Sequence, residues 1–319
     1  MEIGQIKELS MKIQENVSKV IVGKKEIIDL LIACMIAGGH VLLEDVPGTG
    51  KTMLAKSLAK SVGVDFKRVQ FTPDLLPSDL TGINYYNQKQ GDFIFRNGPI
   101  FTNILLADEI NRATPRTQSS LLECMEEKQI TIDGITYRLE EPYFVVATQN
   151  PVETQGTFPL PEAQLDRFLI KVSIGYPTSS EACRILDLFN IANPFEKLAG
   201  VCTYEEIRDA MGSYQKVYVS PDIKKYIITI VEKTRTYESV ELGVSPRGSI
   251  AMMKICKSFA AINGREFVTP EDVKYLASYV LSHRIIMKDD YRMGRNGTLS
   301  VISNIIGSVE VPTENWENN

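Results

Sequence analysis

The run Gly48-Thr49-Gly50-Lys51-Thr52 constrains the fold more than any other feature of the sequence. It follows the apolar run 41–43, which is typical of a buried strand, and it opens the helical pattern 51–62. The backbone N–H groups of such a turn lie unpaired at the positive end of the helix dipole, so they form a cradle for phosphate groups. An ordinary glycine-rich turn is the alternative, and it is disfavoured because strand, loop, lysine, threonine and helix follow in register.

The residue types in this run indicate a nucleoside triphosphate as the ligand. Lys51 is expected to reach the β- and γ-phosphates, and Thr52 is expected to supply a hydroxyl to Mg²⁺. The full pattern has a further glycine ahead of the four residues that precede Gly50, where this chain has Asp45. That departure weakens the match, but both phosphate-facing glycines are present. The predicted nucleotide-binding residues, called the phosphate loop below, are Val46, Pro47, Gly48, Thr49, Gly50, Lys51, Thr52 and Met53.

Polar side chains end two further apolar runs. Asp108 and Glu109 follow the run 104–107, and ligands of parallel α/β sheets bind at the carboxyl ends of the strands. Asp108 is predicted to hold the Mg²⁺ water shell, and Glu109 to act as general base toward the attacking water. Asn150 ends a strand expected beside that of Asp108, and it is predicted to hydrogen-bond the γ-phosphate or the lytic water. A capping or turn asparagine before proline is the alternative for Asn150.

Short apolar runs alternate with helical patterns up to residue 176. Five runs are short, rich in β-branched or aromatic residues and bounded by turn residues, so they are predicted to be buried strands. These runs are 41–43, 67–71, 104–107, 144–147 and 170–174. The alternation predicts an α/β fold in which residues 1–176 form a three-layer αβα core around a five-stranded parallel sheet.

From residue 177 onward the strand pattern nearly disappears, and one helix start follows another. Thr178 with Glu181, and Thr203 with Glu206, are capping boxes. Hydroxyl residues precede proline at three more predicted helix starts. These pairs are Ser220-Pro221, Ser245-Pro246 and Thr269-Pro270. Residues 177–319 are therefore predicted to form a small all-helical lid domain with a C-terminal tail.

Together these motifs resemble the MoxR family of AAA+ ATPases. The segments LLADEINRATPRTQSSLLECMEE and VVATQNPVETQGTFPLPEAQLDRF carry the resemblance, which extends over nearly the whole chain. It implies an ATP hydrolase that uses ATP and Mg²⁺ and forms a homo-oligomeric ring, expected to be a hexamer, with ATP at the subunit interfaces. It also implies chaperone-like remodelling or activation of a partner protein, and a protein with a von Willebrand factor A domain is one expected partner.

The resemblance assigns the arginine finger to Arg167. Such a finger reaches the γ-phosphate of the neighbouring subunit and stabilises charge in the transition state. A salt bridge within the chain, to Asp166 or Glu162, is the alternative for Arg167. Arg112 and Arg116 are its rivals for the finger role, since they follow the acidic pair by a few residues.

The same resemblance assigns the lid arginine called sensor 2 to Arg247. This residue falls in the first turn of a predicted helix, where a cation is disfavoured. A compensating anion is therefore expected, for which ATP phosphate is the natural choice; a solvated surface arginine is the alternative. Val22 and Gly23, just before an amphipathic helix, are implied to line the adenine pocket, and apolar packing accounts equally well for Val22.

Two predicted hairpins bear on the kind of partner. Residues 129–139 form a tight hairpin with an Asp133-Gly134 type I′ turn, and residues 75–98 form an insertion after the second strand. In relatives that translocate DNA such hairpins have basic tips. The first tip here has no Lys or Arg and the second has only Lys89, which argues against nucleic acid as a partner. The aromatic pairs of the insertion are expected to pack within it or to touch a protein.

The composition limits which partners, metal sites and cellular locations are expected. The chain has 35 basic and 40 acidic residues, a net charge of -5, which argues against wholesale coating of nucleic acid. Two histidines exclude a histidine-rich metal site, and 5 scattered cysteines without a CxxC pair indicate a reducing cytosol. No apolar run is long enough to span a bilayer and no secretory signal is evident, so a cytoplasmic location is predicted.

Three other functions share parts of this pattern. Basic hairpin tips would favour a DNA-remodelling motor, and such tips are absent. A nucleotide-gated binding module with incidental catalysis would be favoured by the loss of the glutamate beside Asp108, but Glu109 is present. A phosphotransferase would need an acceptor site and would not need Arg247 in a separate lid.

Overall fold

The computed structural model describes residues 1–46, 48–150, 156–191, 193–288 and 297–312. The strands are β1 Val41–Glu44, β2 Phe66–Gln70, β3 Gly82–Asn87, β4 Asp92–Asn97, β5 Ile104–Asp108, β6 Gln129–Ile132, β7 Ile135–Arg138, β8 Phe144–Gln149, β9 Ile170–Val172, β10 Val240–Leu242 and β11 Ile286–Met287. The helices are α1 Ile3–Ser18, α2 Lys25–Ile36, α3 Lys51–Val62, α4 Pro77–Thr81, α5 Pro115–Glu127, α6 Glu162–Leu165, α7 Ser179–Ile191, α8 Tyr204–Ser213, α9 Pro221–Thr236, α10 Pro246–Ile262, α11 Pro270–Leu281 and α12 Gly297–Ser308.

A five-stranded parallel sheet, in the order β2-β5-β8-β1-β9, confirms the five predicted strands. Alternate residues of each strand point to opposite faces. On one face Leu43 and Leu106 pack with the apolar residues of α1, α2 and α3. On the other face Leu42 and Leu105 pack with α5. The predicted three-layer αβα core is therefore confirmed, and both faces of its central strands are buried.

The parallel order gives the sheet two chemically different edges. All five strands end at one edge, called the carboxyl edge below, where Asp108 ends β5 and where Asp45 and Asn150 follow β1 and β8. At the other edge, the amino edge, the Leu169 N–H donates to the carbonyl of His40, so the segments before β1 and β9 meet there. At a rise of about 3.3 Å per residue, strands of this length separate the edges by roughly 10–20 Å.

Both predicted hairpins are present. Strands β6 and β7 pair antiparallel around Asp133 and Gly134, whose positive φ angles of 50° and 82° fit the predicted type I′ turn. Strands β3 and β4 form the second hairpin. The Phe95 ring stacks on Tyr137 with centroids 4.5 Å apart, so an aromatic contact joins the two hairpins. This confirms the packing interpretation for part of the insertion only, since Tyr86 and Phe93 are exposed by 54% and 66%.

The lid, residues 177–312 of the described chain, is helical as predicted. The hydroxyls of four predicted N-caps accept a hydrogen bond from the backbone N–H three residues on. These residues are Thr178, Thr203, Ser220 and Thr269. Ser245 also precedes a helix, α10, but its hydroxyl donates instead to Asp166 in the first part of the chain, at 3.1 Å. The lid adds one element to the prediction, a short antiparallel ribbon of β10 and β11.

Helix α10 joins the lid to the first part of the chain. Its buried Met252 and Ile255 belong to the same hydrophobic cluster as α1, α2 and the sheet. The Ser258 hydroxyl donates to the Ala33 carbonyl of α2 at 2.7 Å. One continuous core therefore runs through both parts. Within the described residues, no helix combines the length and apolarity that a bilayer crossing requires.

His40 makes the stability of this core dependent on pH. Its Nδ1 accepts from the Val145 N–H and its Nε2 donates to the Met125 carbonyl, both at 3.0 Å. Burial lowers the pKa of His40 from 6.5 to about 4. Between pH 6.5 and about pH 4, His40 is therefore protonated in the unfolded chain and stays neutral in the folded chain. We expect the free energy of unfolding to fall over that window, by up to about 3 kcal/mol from His40 alone.

Urea unfolding between pH 7 and pH 4 measures this effect. The control is His40→Gln, which removes the titrating ring. Burial also lowers the pKa of His283, so the variant is expected to retain part of the slope but to show a shallower fall than the parent. An unchanged slope in His40→Gln would contradict the assignment.

Candidate functional site

The phosphate loop lies at the carboxyl edge, between β1 and α3. Gly48 and Gly50 have φ angles of +85° and +86°, a left-handed conformation that residues with a Cβ rarely adopt. Gly50 is also the N-cap of α3, so the positive end of this helix dipole faces the loop. The Lys51 ammonium donates to the Asp45 carbonyl at 2.8 Å, across the mouth of the loop. Pro47 lies outside the described residues.

Asp45, the departure from the full pattern, turns its side chain away from the loop. Its carboxylate accepts from the Ser173 hydroxyl at 2.9 Å, from the Gly175 N–H at 3.2 Å and from the Ile174 N–H. The buried carboxylate thus binds the backbone that leaves β9. Asp45 therefore stands at the glycine position of the full pattern without pointing its negative charge at a phosphate. Its carboxylate is stabilised by these three hydrogen-bond donors instead.

Asp108 and Glu109 end β5 next to the phosphate loop. The Thr148 hydroxyl of neighbouring β8 donates to Asp108 at 2.6 Å and accepts from the Glu109 N–H at 2.8 Å. Glu109 has a φ of +56°, so its backbone turns sharply out of the strand, an unusual conformation for a residue with a side chain. Thr148 therefore fixes both acids, and it is a site residue that the sequence analysis missed.

Two residues of β2 also bind the acids and were missed. Arg68 donates from Nε and Nη2 to one oxygen of Asp108, at 3.1 and 2.7 Å. Gln70 donates to the Glu109 carboxylate at 2.7 Å. The Arg112 Nε lies 3.1 Å from the same carboxylate, so this rival for the finger role is paired within its own chain. The available sequence signal was that Arg68 and Gln70 lie two residues apart in the predicted strand 67–71, which the structure pairs with β5.

Asn150, Val22 and Gly23 lie toward the same edge. Asn150 is buried directly after β8, which pairs with β5 as predicted. Gly23 has a φ of +75°, and an added Cβ would overlap the Glu181 carboxylate of α7. Val22 is buried beside it. The structure therefore brings the phosphate loop, both acids, Asn150 and the predicted adenine-side residues together at one edge.

The oxygens at this edge suit Mg²⁺ better than a metal held by protein alone. Among the described residues no three His, Cys, Asp or Glu side chains gather as a metal cluster. Thr52 and Asp108 could supply a hydroxyl and a carboxylate. Mg²⁺ is usually held by one or two carboxylates together with waters and substrate phosphates, so the two residues fit the predicted metal role.

Arg167 and Arg247, the arginine pair, lie at the amino edge instead. Arg167 comes shortly before β9, and Arg247 is in the first turn of α10. Both guanidiniums bind Glu126, whose neighbour Met125 contacts His40 at that edge. Glu126, and neither Asp166 nor Glu162, is thus the partner of Arg167. It is also the compensating anion of Arg247, where the sequence suggested ATP phosphate.

A second set of contacts holds the arginine pair in place. The buried Arg284 of the lid binds the Asp166 carboxylate at 2.5 Å and the carbonyls of Phe168 and Leu169 at 2.7 and 3.3 Å. Burial lowers the pKa of Arg284, and the charge of Asp166 opposes that fall. Because Asp166 also accepts from Ser245, one carboxylate connects the backbone that bears Arg167 to the helix that bears Arg247.

Comparison with known proteins matches both parts of the chain. The model of the ATPase family associated with various cellular activities (AAA) matches residues 40–170, and that of the AAA lid domain matches residues 232–298. The uncharacterized protein YeaC of Bacillus subtilis is 50% identical over 95% of this chain and 95% of its own. Chaperone MoxR1 of Mycobacterium tuberculosis is 36% identical over 94% of this chain and 81% of its own. A proposed ATPase from Cytophaga hutchinsonii, whose crystal structure is known, is 39% identical in sequence to this chain. Its structure matches with a TM-score of 0.91, over 97% of this chain and 96% of that one.

Proposed function

The chain belongs to the MoxR family of AAA+ ATPases, and from this membership we propose that it hydrolyses Mg²⁺-bound ATP between identical subunits to remodel or activate a partner protein. A homo-oligomeric ring, expected to be a hexamer in the cytoplasm, is part of this proposal.

One observation carries the proposal: the phosphate loop and the arginine pair occupy opposite edges of one sheet. Lys51 is at the carboxyl edge, and Arg167 is at the amino edge with His40 and Met125. The strands between them separate the edges by roughly 10–20 Å, which an arginine side chain does not span. A chain that carries both halves of a site in this arrangement can complete it by placing its amino edge against the carboxyl edge of a second copy.

Within one subunit the proposed chemistry uses the residues of the carboxyl edge. The N–H groups of the phosphate loop and Lys51 bind the phosphates, and Thr52 with Asp108 holds Mg²⁺, which would neutralise phosphate charge. Glu109 accepts a proton from the attacking water, and the Asn150 amide orients that water. Gln70 and Arg112, which now bind the Glu109 carboxylate, must release it before it can act as a base.

From the neighbouring subunit the proposed site receives Arg167 and Arg247. Their positive charge would stabilise the γ-phosphate oxygens in the transition state. The contacts of Asp166 with Ser245 and Arg284 tie this pair to the lid. A nucleotide bound to one subunit would therefore act on the lid of the next, which is how we expect hydrolysis to produce movement.

The surface of the two hairpins supports a protein partner over DNA. The first tip bears Asp133, which accepts from Asn84 of the second hairpin at 2.5 Å, so an acid lies where a phosphate-tracking tip needs a base. Tyr86 and Phe93 form an exposed aromatic contact on the second hairpin, with centroids 5.4 Å apart. A partner with a von Willebrand factor A domain follows from the family resemblance. A DNA-remodelling motor and a nucleotide-gated binding module remain the alternatives.

Trapping the complex tests the partner. Immobilised Glu109→Gln protein with ATP is expected to hold the nucleotide without turnover and to retain a protein from a lysate. Lys51→Ala, which loses its contact to the phosphates, is the matched control and should retain several-fold less of that protein. The proposal fails if the retained material is removed by nuclease, or if DNA raises the ATPase rate of the unmodified protein several-fold.

A further inference from the structure

The carboxylate of Glu126 lies between the two arginines of the arginine pair. Its Oε2 is 3.2 Å from Nε of Arg167, and its Oε1 binds Nη2 of Arg247. The three side chains are 33%, 30% and 46% exposed, so water and a neighbouring protein can reach all of them. Each oxygen of one carboxylate is thus used by a different arginine.

These three residues come from separate parts of the fold. Glu126 is in the last turn of α5, Arg167 precedes β9 and Arg247 begins α10 in the lid. The contact therefore ties an arginine of the lid to an arginine of the sheet domain. The amino edge that a second copy would meet consequently presents the two guanidiniums side by side.

The charges around this contact explain why an acid is needed. Arg167, Arg247 and the nearby Arg284 carry three positive charges, and Asp166 is already taken up by Arg284 and Ser245. Glu126 is the acid that pairs with both guanidiniums in the described part of the chain, and without it the two cations would repel one another. Arg247 would also stand uncompensated in the first turn of α10, where the helix dipole disfavours a cation.

The atom of Arg167 that Glu126 contacts also bears on how this arginine can bind a phosphate. It approaches Arg167 from the Nε side, at 3.2 Å. Besides the Nε side, the two terminal amino groups of a guanidinium can bind an oxyanion as a fork. A carboxylate on the Nε side fixes the orientation of the guanidinium and leaves that fork available to a phosphate.

We propose that Glu126 is a positioning residue for ATP hydrolysis, which holds Arg167 and Arg247 at the spacing needed to meet the γ-phosphate of a neighbouring subunit. This inference rests on the proposed function, because it requires both arginines to act across a subunit contact. Glu126 itself does not touch the nucleotide. Its contribution is to hold the two cations oriented before the subunits meet, so that less ordering remains to be done in the transition state.

Replacing Glu126 with Gln tests the inference. The amide keeps the size of the side chain and loses the charge that holds two arginines, so we expect ATP turnover to fall about 10- to 100-fold. ATP affinity should change less than about twofold, because the phosphate loop lies at the other edge of the sheet. Glu127→Gln is the matched control: it removes the same charge from the next residue of α5, which is exposed, and should keep turnover within about twofold. Turnover that is unchanged or faster in Glu126→Gln overturns the inference.

A mixing experiment separates positioning from a structural role. In mixed rings, Glu109→Gln subunits have intact arginines to offer, and Glu126→Gln subunits have an intact phosphate loop and Glu109. Mixing these two impaired variants should therefore raise turnover above that of either one alone, whereas a folding defect in Glu126→Gln would give no such gain. If Arg167→Ala is also not restored by Glu109→Gln, the proposed function itself fails. If Arg167→Ala is restored and Glu126→Gln is not, only the role of Glu126 is lost.

Discussion

Glu109→Gln is expected to lower ATP turnover by about a thousandfold while leaving ATP affinity within about twofold of the parent. The amide has the shape of the carboxylate and can still receive the hydrogen bond from Gln70. It cannot accept a proton from water, so the step that needs a general base is lost. The residues proposed to hold the phosphates, Lys51 and the N–H groups of the loop, are untouched by the change.

Phosphate release under saturating ATP measures turnover, and titration calorimetry with Mg²⁺ and ATP measures affinity. Glu44→Gln provides the control at the same edge, since Glu44 ends β1 and pairs with Lys171 at 3.0 Å. It should keep turnover within about twofold. A Glu109→Gln protein that hydrolyses ATP at the parent rate would remove Glu109 from the mechanism.

Arg167→Ala is expected to lower turnover by about a thousandfold, and mixing it with Glu109→Gln is expected to restore part of the loss. Arg167 is at the edge opposite its own phosphate loop, so its absence should affect the nucleotide of a neighbour. In a ring, each contact joins the carboxyl edge of one subunit to the amino edge of the next. An equal mixture should therefore make about one contact in four productive.

Mixing with Glu109→Gln also distinguishes Arg167 from its two rivals for the finger role. Arg112 binds Glu109 of its own chain, so any effect of Arg112→Ala should fall on the subunit that carries it and should not change on mixing with Glu109→Gln. Arg116→Ala, in the first turn of α5, should keep most of its turnover. Failure of Arg167→Ala to recover at any mixing ratio, combined with recovery of Arg116→Ala, would transfer the finger role to Arg116.

Local pattern predicted most of the fold. The strands were evident because β-branched and aromatic residues stand in short runs between turn residues, and the Asp133-Gly134 turn and four of the N-caps follow from steric and hydrogen-bonding preferences of single residues. Their contacts span only a few residues, so the sequence contains the cause. The side chains that meet at the carboxyl edge could be predicted for a similar reason, since parallel strands end together.

The partners of charged side chains could not be predicted in this way. Asp45 binds the backbone near residue 174, Ser245 binds Asp166, and Arg247 binds Glu126, which lies 121 residues away in the chain. Each pairing depends on how distant elements pack, and several acids of the chain could satisfy the same arginine equally well. The expectation of ATP phosphate beside Arg247 stays a prediction, and the Glu126 carboxylate that binds this arginine was not foreseen.

The burial of α10 against α1 and α2 has a mechanical consequence. Swinging the lid away from the sheet would expose Met252, Ile255 and their apolar neighbours to water, at a cost of about 25 cal/mol for each Å² uncovered. Small sliding movements that keep these side chains buried cost much less free energy. The protomer should thus move as one nearly rigid body, and in the proposed ring the movement that hydrolysis drives should come from one subunit shifting against the next.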